Sequence, residues 1–207
     1  MNNARLYCIL DLGYTAEASA EEVTSALLAG GADILQLRAK NQDLPTILRV
    51  AEKLIPLCRA AGVPFILNDF PDLAATLGVD GVHIGQDDGP LGAAREIMGA
   101  GKLIGRSTHS LAQARAALAE GFDYIGFGPL FPTPTKAGRP AIGLDEIAAM
   151  EQQVGSRIPA FCIGGITQAT LPQVLAAGAR RIVLVSALLQ APDVAAATHA
   201  IRCRLGE

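Results

Sequence analysis

Short runs of apolar and β-branched residues recur along the whole chain. The eight runs are LYCIL from Leu6, DILQL from Asp33, PFILN from Pro64, GVHIG from Gly81, KLIGRS from Lys102, DYIGFG from Asp123, PAFCIGG from Pro159 and RIVLVS from Arg181. Stretches rich in Ala and Leu separate them, such as SLAQARAALAEG, and these stretches have helical spacing. Strands that alternate with helices predict βαβ units with parallel strand pairing.

Eight strand–helix cycles predict a single (β/α)8 TIM barrel over residues 1–207. An open, doubly wound sheet is the alternative, but a dinucleotide-binding fold of that kind favours Gly-x-Gly-x-x-Gly after the first strand. Here that turn reads DLGYTAEAS. Ser19, Ser110 and Thr167 stand where helices are expected to begin and are predicted N-caps.

Composition narrows the possible partners. Half of the residues are apolar, which allows a large core, and the net charge of −3 argues against nucleic-acid or membrane-surface binding. No apolar run has the length of a membrane span, and the first residues do not resemble a secretory signal. The four cysteines are scattered without a Cys-x-x-Cys pair, which predicts reduced structural thiols in a cytoplasmic protein. The sequence specifies no oligomeric state.

The second run carries polar residues at alternate positions. Side chains alternate between the two faces of a strand, so Gln36, Arg38 and Lys40 are expected to point into the barrel mouth. Their apolar neighbours should face the covering helices: Leu35, Leu37 and Ala39. A guanidinium and an ammonium group on the interior side predict an anion site, although Arg38 and Lys40 alternatively extend into solvent.

Acidic residues follow the third and fourth runs. Asp69 comes directly after the third, and Asp87 and Asp88 come after the fourth. Neighbouring strands should bring Asp69 close to one member of that pair, and Mg²⁺ is held by one or two carboxylates together with substrate phosphate oxygens and water. We therefore predict Asp69 and Asp88 as metal ligands. In the alternative, Asp87 and Asp88 only start the next helix.

The fifth run ends in GRSTHS, which places Ser107 and His109 near the barrel mouth. An acid–base role for His109 requires a proton partner within hydrogen-bond reach. The other two histidines, His83 and His199, are interpreted as structural.

The last two runs predict a second anion site. They end in Gly164 and Gly165, and in Val185 and Ser186. Loops after the seventh and eighth strands commonly bind phosphate in such barrels through backbone N–H groups, and glycine permits a close approach of the backbone.

A proline-rich loop, GPLFPTPTKAGRP at residues 128–140, follows the sixth run. Its four prolines exclude helix and interior strand, and it carries Thr133, Thr135, Lys136 and Arg139. A loop of this length without its own secondary structure is typical of a functional or a disordered segment.

Together these motifs resemble those of the thiamine-phosphate synthase family. LQLRAK, ND, DGVHIGQDD, IGRSTHS, GPLFPTPTK, IGGIT and VLVSA occur in the family's order and at close to its spacing. The resemblance implies a transferase of thiamine biosynthesis with small-molecule substrates. Such an enzyme joins a pyrimidinylmethyl diphosphate to a thiazole phosphate, which is carboxylated or not. Pyrophosphate leaves with Mg²⁺ assistance, and the thiazole nitrogen captures the pyrimidine cation.

The resemblance also implies roles for individual residues. Those implied to contact the pyrimidine diphosphate are Gln36, Leu37, Arg38, Ala39, Lys40, Asn68, Ser107 and Lys136, with Arg38, Lys40, Ser107 and Lys136 catalytic. Those implied to bind the thiazole phosphate are Thr133, Pro134, Thr135, Gly165, Val185 and Ser186. One Mg²⁺ per subunit is implied at Asp69 and Asp88.

One position departs from the family pattern. Phe70 stands where the family usually has arginine after ND, so either a diphosphate contact or a structural ion pair is lost. The departure keeps an alternative open, because a sister branch of thiazole tautomerases shares the fold and has a proposed acid–base histidine that corresponds to His109. A non-catalytic ligand sensor is a third possibility, and no feature of the sequence favours it.

Overall fold

The computed structural model describes residues 1–133 and 140–206 and contains a closed barrel of eight parallel strands in chain order. The strands are β1 (Leu6–Asp11), β2 (Ile34–Arg38), β3 (Phe65–Asn68), β4 (Gly81–Ile84), β5 (Leu103–Thr108), β6 (Tyr124–Phe127), β7 (Ala160–Cys162) and β8 (Ile182–Leu184). Each coincides with one of the eight predicted runs, and β1, β2 and β5 extend one residue beyond it. The barrel closes where Leu6 pairs with Ile182, so the TIM-barrel prediction is confirmed and the open sheet is wrong.

Helices follow the strands and cover the barrel. They are α1 (Ala20–Ala29), α2 (Leu44–Ala61), α3 (Pro71–Leu77), α4 (Leu91–Met98), α5 (Leu111–Glu120), α6 (Ile147–Met150), α7 (Leu171–Ala176), α8 (Ser186–Leu189) and α9 (Val194–Arg204). A short 3₁₀ turn, Glu17–Ser19, precedes α1, and a π-helical turn, Glu151–Gly155, extends α6. None of the helices in the described ranges is both long and apolar enough to span a membrane.

The helix starts follow the predicted N-caps only in part. Ser110 accepts the N–H of Gln113 and caps α5 as predicted, whereas Ser19 makes no side-chain cap bond at the start of α1. The prediction that Thr167 is the N-cap of α7 is wrong, because α7 begins at Leu171 and its N-cap is Thr170. Pro172 explains the shift, because proline lacks an N–H and suits the first turn of a helix.

The apolar residues form two layers of core. The larger layer lies between barrel and helices and includes Cys8, Leu37 and Phe127. The smaller layer fills the barrel interior with Ala4, Tyr7, Ile9, Ile34, Ile66, Tyr124, Phe161 and Val183. Residues from adjacent strands share this interior, as expected for a packed barrel centre rather than a pore.

Three aromatic rings form the floor of the barrel cavity. Tyr7 and Tyr124 each pack edge-to-face on Phe161, with ring centroids 5.3 and 6.1 Å apart. Gly105 pairs with Tyr124 across β5 and β6, and a Cβ atom at Gly105 would lie 2.1 Å from the Tyr124 ring. The absence of a side chain at Gly105 therefore makes room for the tyrosine inside the barrel.

Three of the four cysteines have the buried position expected of structural thiols. Cys8, Cys58 and Cys162 are buried and free, whereas Cys203 is exposed on α9. Burial raises the pKa of the Cys58 thiol to about 12 and moves the pKa of Cys8 and Cys162 in the same direction. Because the thiolate is the reactive form, the three buried cysteines are chemically inert at neutral pH.

Candidate active site

A pocket opens at the mouth of the barrel, at the carboxyl ends of the strands. Side chains of every strand line it, and among them are Ile9, Gln36, Asn68, His83, Ser107, Tyr124, Phe161 and Val183. Loops after β6, β7 and β8 complete the wall with Pro129, Thr133, Gly165 and Ser186. This is the end of a (β/α)8 barrel at which reactive groups collect.

The predicted orientation of the second strand is confirmed for Gln36 and Arg38, whereas the third predicted residue, Lys40, is not among the residues that line the pocket. Gln36 and Arg38 line the pocket, whereas the side chains of Leu37 and Ala39 are buried in the core between barrel and helices. Contacts of Leu37 and Ala39 with a substrate in the pocket would therefore have to come from the backbone. The Arg38 guanidinium forms an ion pair with Asp11, a buried carboxylate at the end of β1.

A cluster of one cation and two carboxylates stands at the rim beside β2, β3 and β4. The Lys40 ammonium lies 3.2 Å from Oδ2 of Asp69. Burial raises the pKa of Asp69, the Lys40 ammonium opposes this shift, and the nearby Asp88 carboxylate raises the pKa further. The structure thus brings together the two predicted metal ligands, at a distance short enough for one carboxylate to affect the other.

The backbone fixes Asp69 in an unusual conformation. Its φ is 72°, and it is the one non-glycine residue in the described part of the chain with positive φ. Its N–H donates to the carbonyl of His83 on the neighbouring strand β4. Aspartate and asparagine tolerate this left-handed region better than most residues, so the conformation is compatible with a short polar side chain held at the rim.

Asp88 lies in a loop that Arg106 holds in place. Its Oδ2 accepts the N–H of Gly85 at 2.6 Å, and α4 begins only at Leu91. The interpretation that Asp88 starts the helix is therefore wrong. Arg106 donates to the Gly89 carbonyl at 2.8 Å and stacks over the ring of Phe122, so it fixes the loop from outside the barrel.

His83 is part of the pocket, which corrects its interpretation as a purely structural residue. Its Nε2 lies 3.0 Å from Oγ of Ser107, and its Nδ1 lies 3.3 Å from the Tyr124 hydroxyl. The interior parity of β4 places the imidazole over the pocket floor, because His83 pairs with Gly105 in the neighbouring strand. Ser107, a predicted substrate contact, is thus connected to a histidine and a tyrosine.

His109 also lines the pocket, as its place after β5 suggested. Its Nδ1 donates to the carbonyl of Gly128, and its backbone N–H donates to Oε1 of Gln113 at 2.8 Å. A carbonyl oxygen only accepts hydrogen bonds, so Nδ1 carries the hydrogen. These bonds orient the ring between β5 and the loop after β6.

The residues predicted to bind phosphate lie together on the side of the barrel mouth that is opposite the Lys40–Asp69–Asp88 cluster. Gly165, Val185, Ser186 and Thr133 all line the pocket. Gly165 has a φ of 66°, and a Cβ atom there would lie 2.6 Å from Cβ of Phe131. Glycine is therefore required at this turn by both conformation and space. Pro134, Thr135, Lys136 and Arg139 of the proline-rich loop lie outside the described residues.

Phe70 contacts the core rather than the pocket. It precedes α3, and its partly buried ring packs against the apolar layer between barrel and helices. An apolar contact therefore occupies the position at which the family usually has arginine.

Sequence reasoning missed three polar residues of the site. They are Asp11, Tyr7 and Tyr124. The β1 residues Tyr7, Ile9 and Asp11 pair with Ile34, Gln36 and Arg38 of β2, so they share the interior face. The sequence contained this information in principle, because the polar residues of β2 identify the interior face and β1 is the neighbouring strand. It was not decisive, since every residue of β1 is buried.

Comparisons with known proteins identify the family of this chain. The family model described as thiamine monophosphate synthase matches residues 6–188. A thiamine-phosphate synthase of Thermus thermophilus is 47% identical over 97% of both chains, and one of Chloroflexus aurantiacus is 44% identical over 96% of this chain and 91% of the relative. The solved structure of thiamine phosphate pyrophosphorylase from Pyrococcus furiosus superposes with a TM-score of 0.88 at 33% identity, covering 99% of this chain and 96% of the other. The chain therefore belongs to the thiamine monophosphate synthase family and is an enzyme of the transferase class.

Proposed function

We propose that the protein forms thiamine phosphate by joining a pyrimidinylmethyl diphosphate to a thiazole phosphate, with release of pyrophosphate. The observation that carries the proposal is the cluster of Lys40, Asp69 and Asp88, which follow β2, β3 and β4 at the carboxyl-end rim of the barrel. It combines a cation with two carboxylates, as a diphosphate bound through a divalent metal requires. A reaction that only transfers a proton on a thiazole releases no diphosphate and therefore does not require such a cluster.

We propose that Asp69 and Asp88 hold one Mg²⁺ per subunit. The donor set fits this ion, because both ligands are carboxylates and the Asp88 carboxylate raises the pKa of Asp69, a repulsion that a cation between them would relieve. Residues 1–133 and 140–206 contain no group of three or more His, Cys, Asp or Glu that would enclose a metal without a substrate. When bound, Mg²⁺ would neutralise charge on the departing pyrophosphate.

The chain's own cations act on the same leaving group. Arg38, held by Asp11, presents a guanidinium fork suited to phosphate oxygens, and Lys40 supplies a point charge at the rim. Lys136 would add a further cation by resemblance to the family, although it lies outside the described residues. Preorganised cations lower the barrier by stabilising charge as it develops on the pyrophosphate oxygens.

The thiazole phosphate would bind across the mouth. The backbone turn at Gly165 and the segment Val185–Ser186 line the pocket together with the Thr133 side chain. In this arrangement the second substrate would lie across the barrel mouth from the Lys40–Asp69–Asp88 cluster, with the pocket floor between the two. The pyrimidine would lie over that floor, near Asn68 and Ser107. We place the enzyme in the cytoplasm, where its buried cysteines remain reduced.

An assay with both substrates tests the proposed function. Purified protein is incubated with the pyrimidine diphosphate and the thiazole phosphate, with and without Mg²⁺, and thiamine phosphate and pyrophosphate are quantified. We expect both products in equal amounts, only with Mg²⁺. Running the carboxylated and decarboxylated thiazoles in parallel identifies the preferred substrate. Absence of thiamine phosphate under all conditions would contradict the proposal.

His109→Asn separates synthase from tautomerase chemistry. We expect the variant to keep thiamine-phosphate formation within about tenfold of wild type, because the synthase reaction breaks a C–O bond and needs cations more than an acid–base group. Asparagine retains a side-chain amide that can donate to the Gly128 carbonyl. If the wild type instead interconverts thiazole tautomers and His109→Asn abolishes that reaction, the tautomerase alternative is correct.

A further inference from the structure

The carboxylate of Asp88 is bonded to the backbone of its own loop. The loop consists of residues 85–89 and lies between the end of β4 and the N-cap of α4. The N–H of Asp88 donates to the carbonyl of Gly85 at 3.3 Å, and Oδ2 of Asp88 accepts the N–H of Gly85 at 2.6 Å. A Cβ atom at Gly85 would lie 2.8 Å from the same oxygen, so glycine permits this close approach. The position of the carboxylate therefore follows the position of the loop backbone.

Arg106 of β5 holds this loop on both sides of Asp88. Its Nη2 donates to the carbonyl of Gln86 at 3.2 Å, and its Nη1 donates to the carbonyl of Gly89 at 2.8 Å. Arg106 pairs with Ile84, the last residue of β4, so its side chain starts at the point where the loop begins. The planar guanidinium group presents several donors in a fixed geometry, and it can hold two carbonyl groups at once.

The guanidinium group of Arg106 is itself held in place. It lies over the ring of Phe122, 5.2 Å from the ring centroid, and the residue is half-buried. Arg106 is not among the described residues that line the pocket, whereas its neighbour Ser107 is. Since neighbouring side chains of a strand point to opposite faces, Arg106 acts on the loop from the helix-covered side of the barrel.

A ligand held in this way suits a small cation with strict geometry. Mg²⁺ requires nearly ideal octahedral coordination at about 2.1 Å, whereas Ca²⁺ accepts flexible coordination at about 2.4 Å. A loop that moves can still serve Ca²⁺, because the larger ion adapts to its ligands. Substitution of groups that orient a metal ligand typically lowers metal affinity by about 10–100-fold. The rigidity of the loop is therefore a means of selecting between the two ions.

We infer that Arg106 is a positioning residue that holds the Asp88 loop for Mg²⁺ and thereby sets the preference of the metal site for Mg²⁺ over Ca²⁺. The inference rests on the proposed metal site at Asp69 and Asp88, but it does not depend on the identity of the two organic substrates. Arg106 touches neither the substrate nor the metal in this arrangement and acts only through the loop backbone.

Binding of inorganic pyrophosphate tests the inference without turnover. Its Kd is measured by titration calorimetry at micromolar concentrations without metal, with Mg²⁺ and with Ca²⁺, and the gain in affinity that each ion brings is compared. In Arg106→Met the apolar stem against Phe122 is kept and the donors are lost. We expect the gain from Mg²⁺ to fall about tenfold and the gain from Ca²⁺ to fall by less.

Two further variants separate positioning from general stability. Arg106→Lys keeps a cation that can reach one carbonyl, so it should fold even if Arg106→Met does not, and its loss should be smaller and in the same direction. Arg95→Met is the matched control. Arg95 donates to the Lys102 carbonyl and to Oδ2 of Asp123 at the amino end of β5, far from the Asp88 loop, so both gains should match wild type. Thermal unfolding of each variant verifies the fold.

A double substitution tests whether Arg106 acts through Asp88. Asp88→Asn should remove most of the gain from Mg²⁺, and adding Arg106→Met to it should lower the gain little further, because coupled residues are not additive. Fully additive losses would overturn the inference.

Other outcomes distinguish this inference from the proposed function. An unchanged Mg²⁺ gain in Arg106→Met, equal losses for Mg²⁺ and Ca²⁺, or an equal loss in Arg95→Met would overturn the role of Arg106. A wild type in which Mg²⁺ brings no gain would overturn it together with the metal site. A selective loss in Arg106→Met, in a protein whose wild type forms no thiamine phosphate, would support the inference and contradict only the proposed function.

Discussion

Asp69→Asn should lower the rate of thiamine-phosphate formation by about a hundredfold or more. The change removes one of two carboxylates proposed to hold the metal against the diphosphate, and loss of one electrostatic group at a developing charge typically costs on this order. Asparagine tolerates the left-handed backbone at this position, so the fold should be retained. Steady-state assays over a range of Mg²⁺ concentrations measure the effect, and Asp88→Asn should behave alike.

The stability of the Asp69→Asn variant is the first control for this prediction. Burial and Asp88 raise the pKa of Asp69, so the folded state binds this proton more tightly than the unfolded state does. Stability from this group therefore falls as pH rises through the interval between the two pKa values. Asparagine does not ionise, so the Asp69→Asn variant should be no less stable than wild type at neutral pH.

Asp87→Asn is the control for activity. Asp87 is the neighbour of Asp88 in the same loop, and its substitution should retain activity. Equal loss in Asp87→Asn, or full activity in Asp69→Asn, would contradict the assignment.

Arg38→Met should reduce both activity and stability. The guanidinium is expected to contact the diphosphate, so its loss should lower the rate by about a hundredfold. It is also the partner of Asp11, whose side chain is only 4% exposed. Removing one member of a buried ion pair leaves an uncompensated charge and costs about 3 kcal/mol or more. Urea-induced unfolding and steady-state kinetics measure the two effects on the same preparation.

A double substitution separates the two roles of Arg38. Asp11→Asn combined with Arg38→Met removes the unpaired charge, and asparagine can still accept the N–H of Gly13. We expect most of the lost stability to return while activity stays low. If activity returned with stability, Arg38 would be only a structural counter-ion for Asp11. If neither returned, the ion pair would not be the cause of the instability.

The sequence by itself determined the barrel and one half of its site. Short β-branched runs separated by Ala- and Leu-rich helical segments specify parallel strands and covering helices, since each pattern satisfies only one kind of backbone. In β2 the polar residues Gln36 and Arg38 alternate with buried leucines, and this alternation identified the interior face correctly. Asp69 and Asp88 followed from adjacency, because neighbouring strands of a parallel barrel end at the same rim.

Only the tertiary structure decided which residues of the other strands enter the pocket. A strand buried on both faces reads as a continuous apolar run, and alternation then divides it into two sets without saying which set is inside. In β1 both sets are buried, so Tyr7 and Asp11 could not be distinguished from their neighbours until pairing with β2 fixed the register. His83 was interpreted as structural because a lone histidine usually is. Its role depends on Ser107 and Tyr124, which lie far from it in sequence and meet it only when the barrel closes.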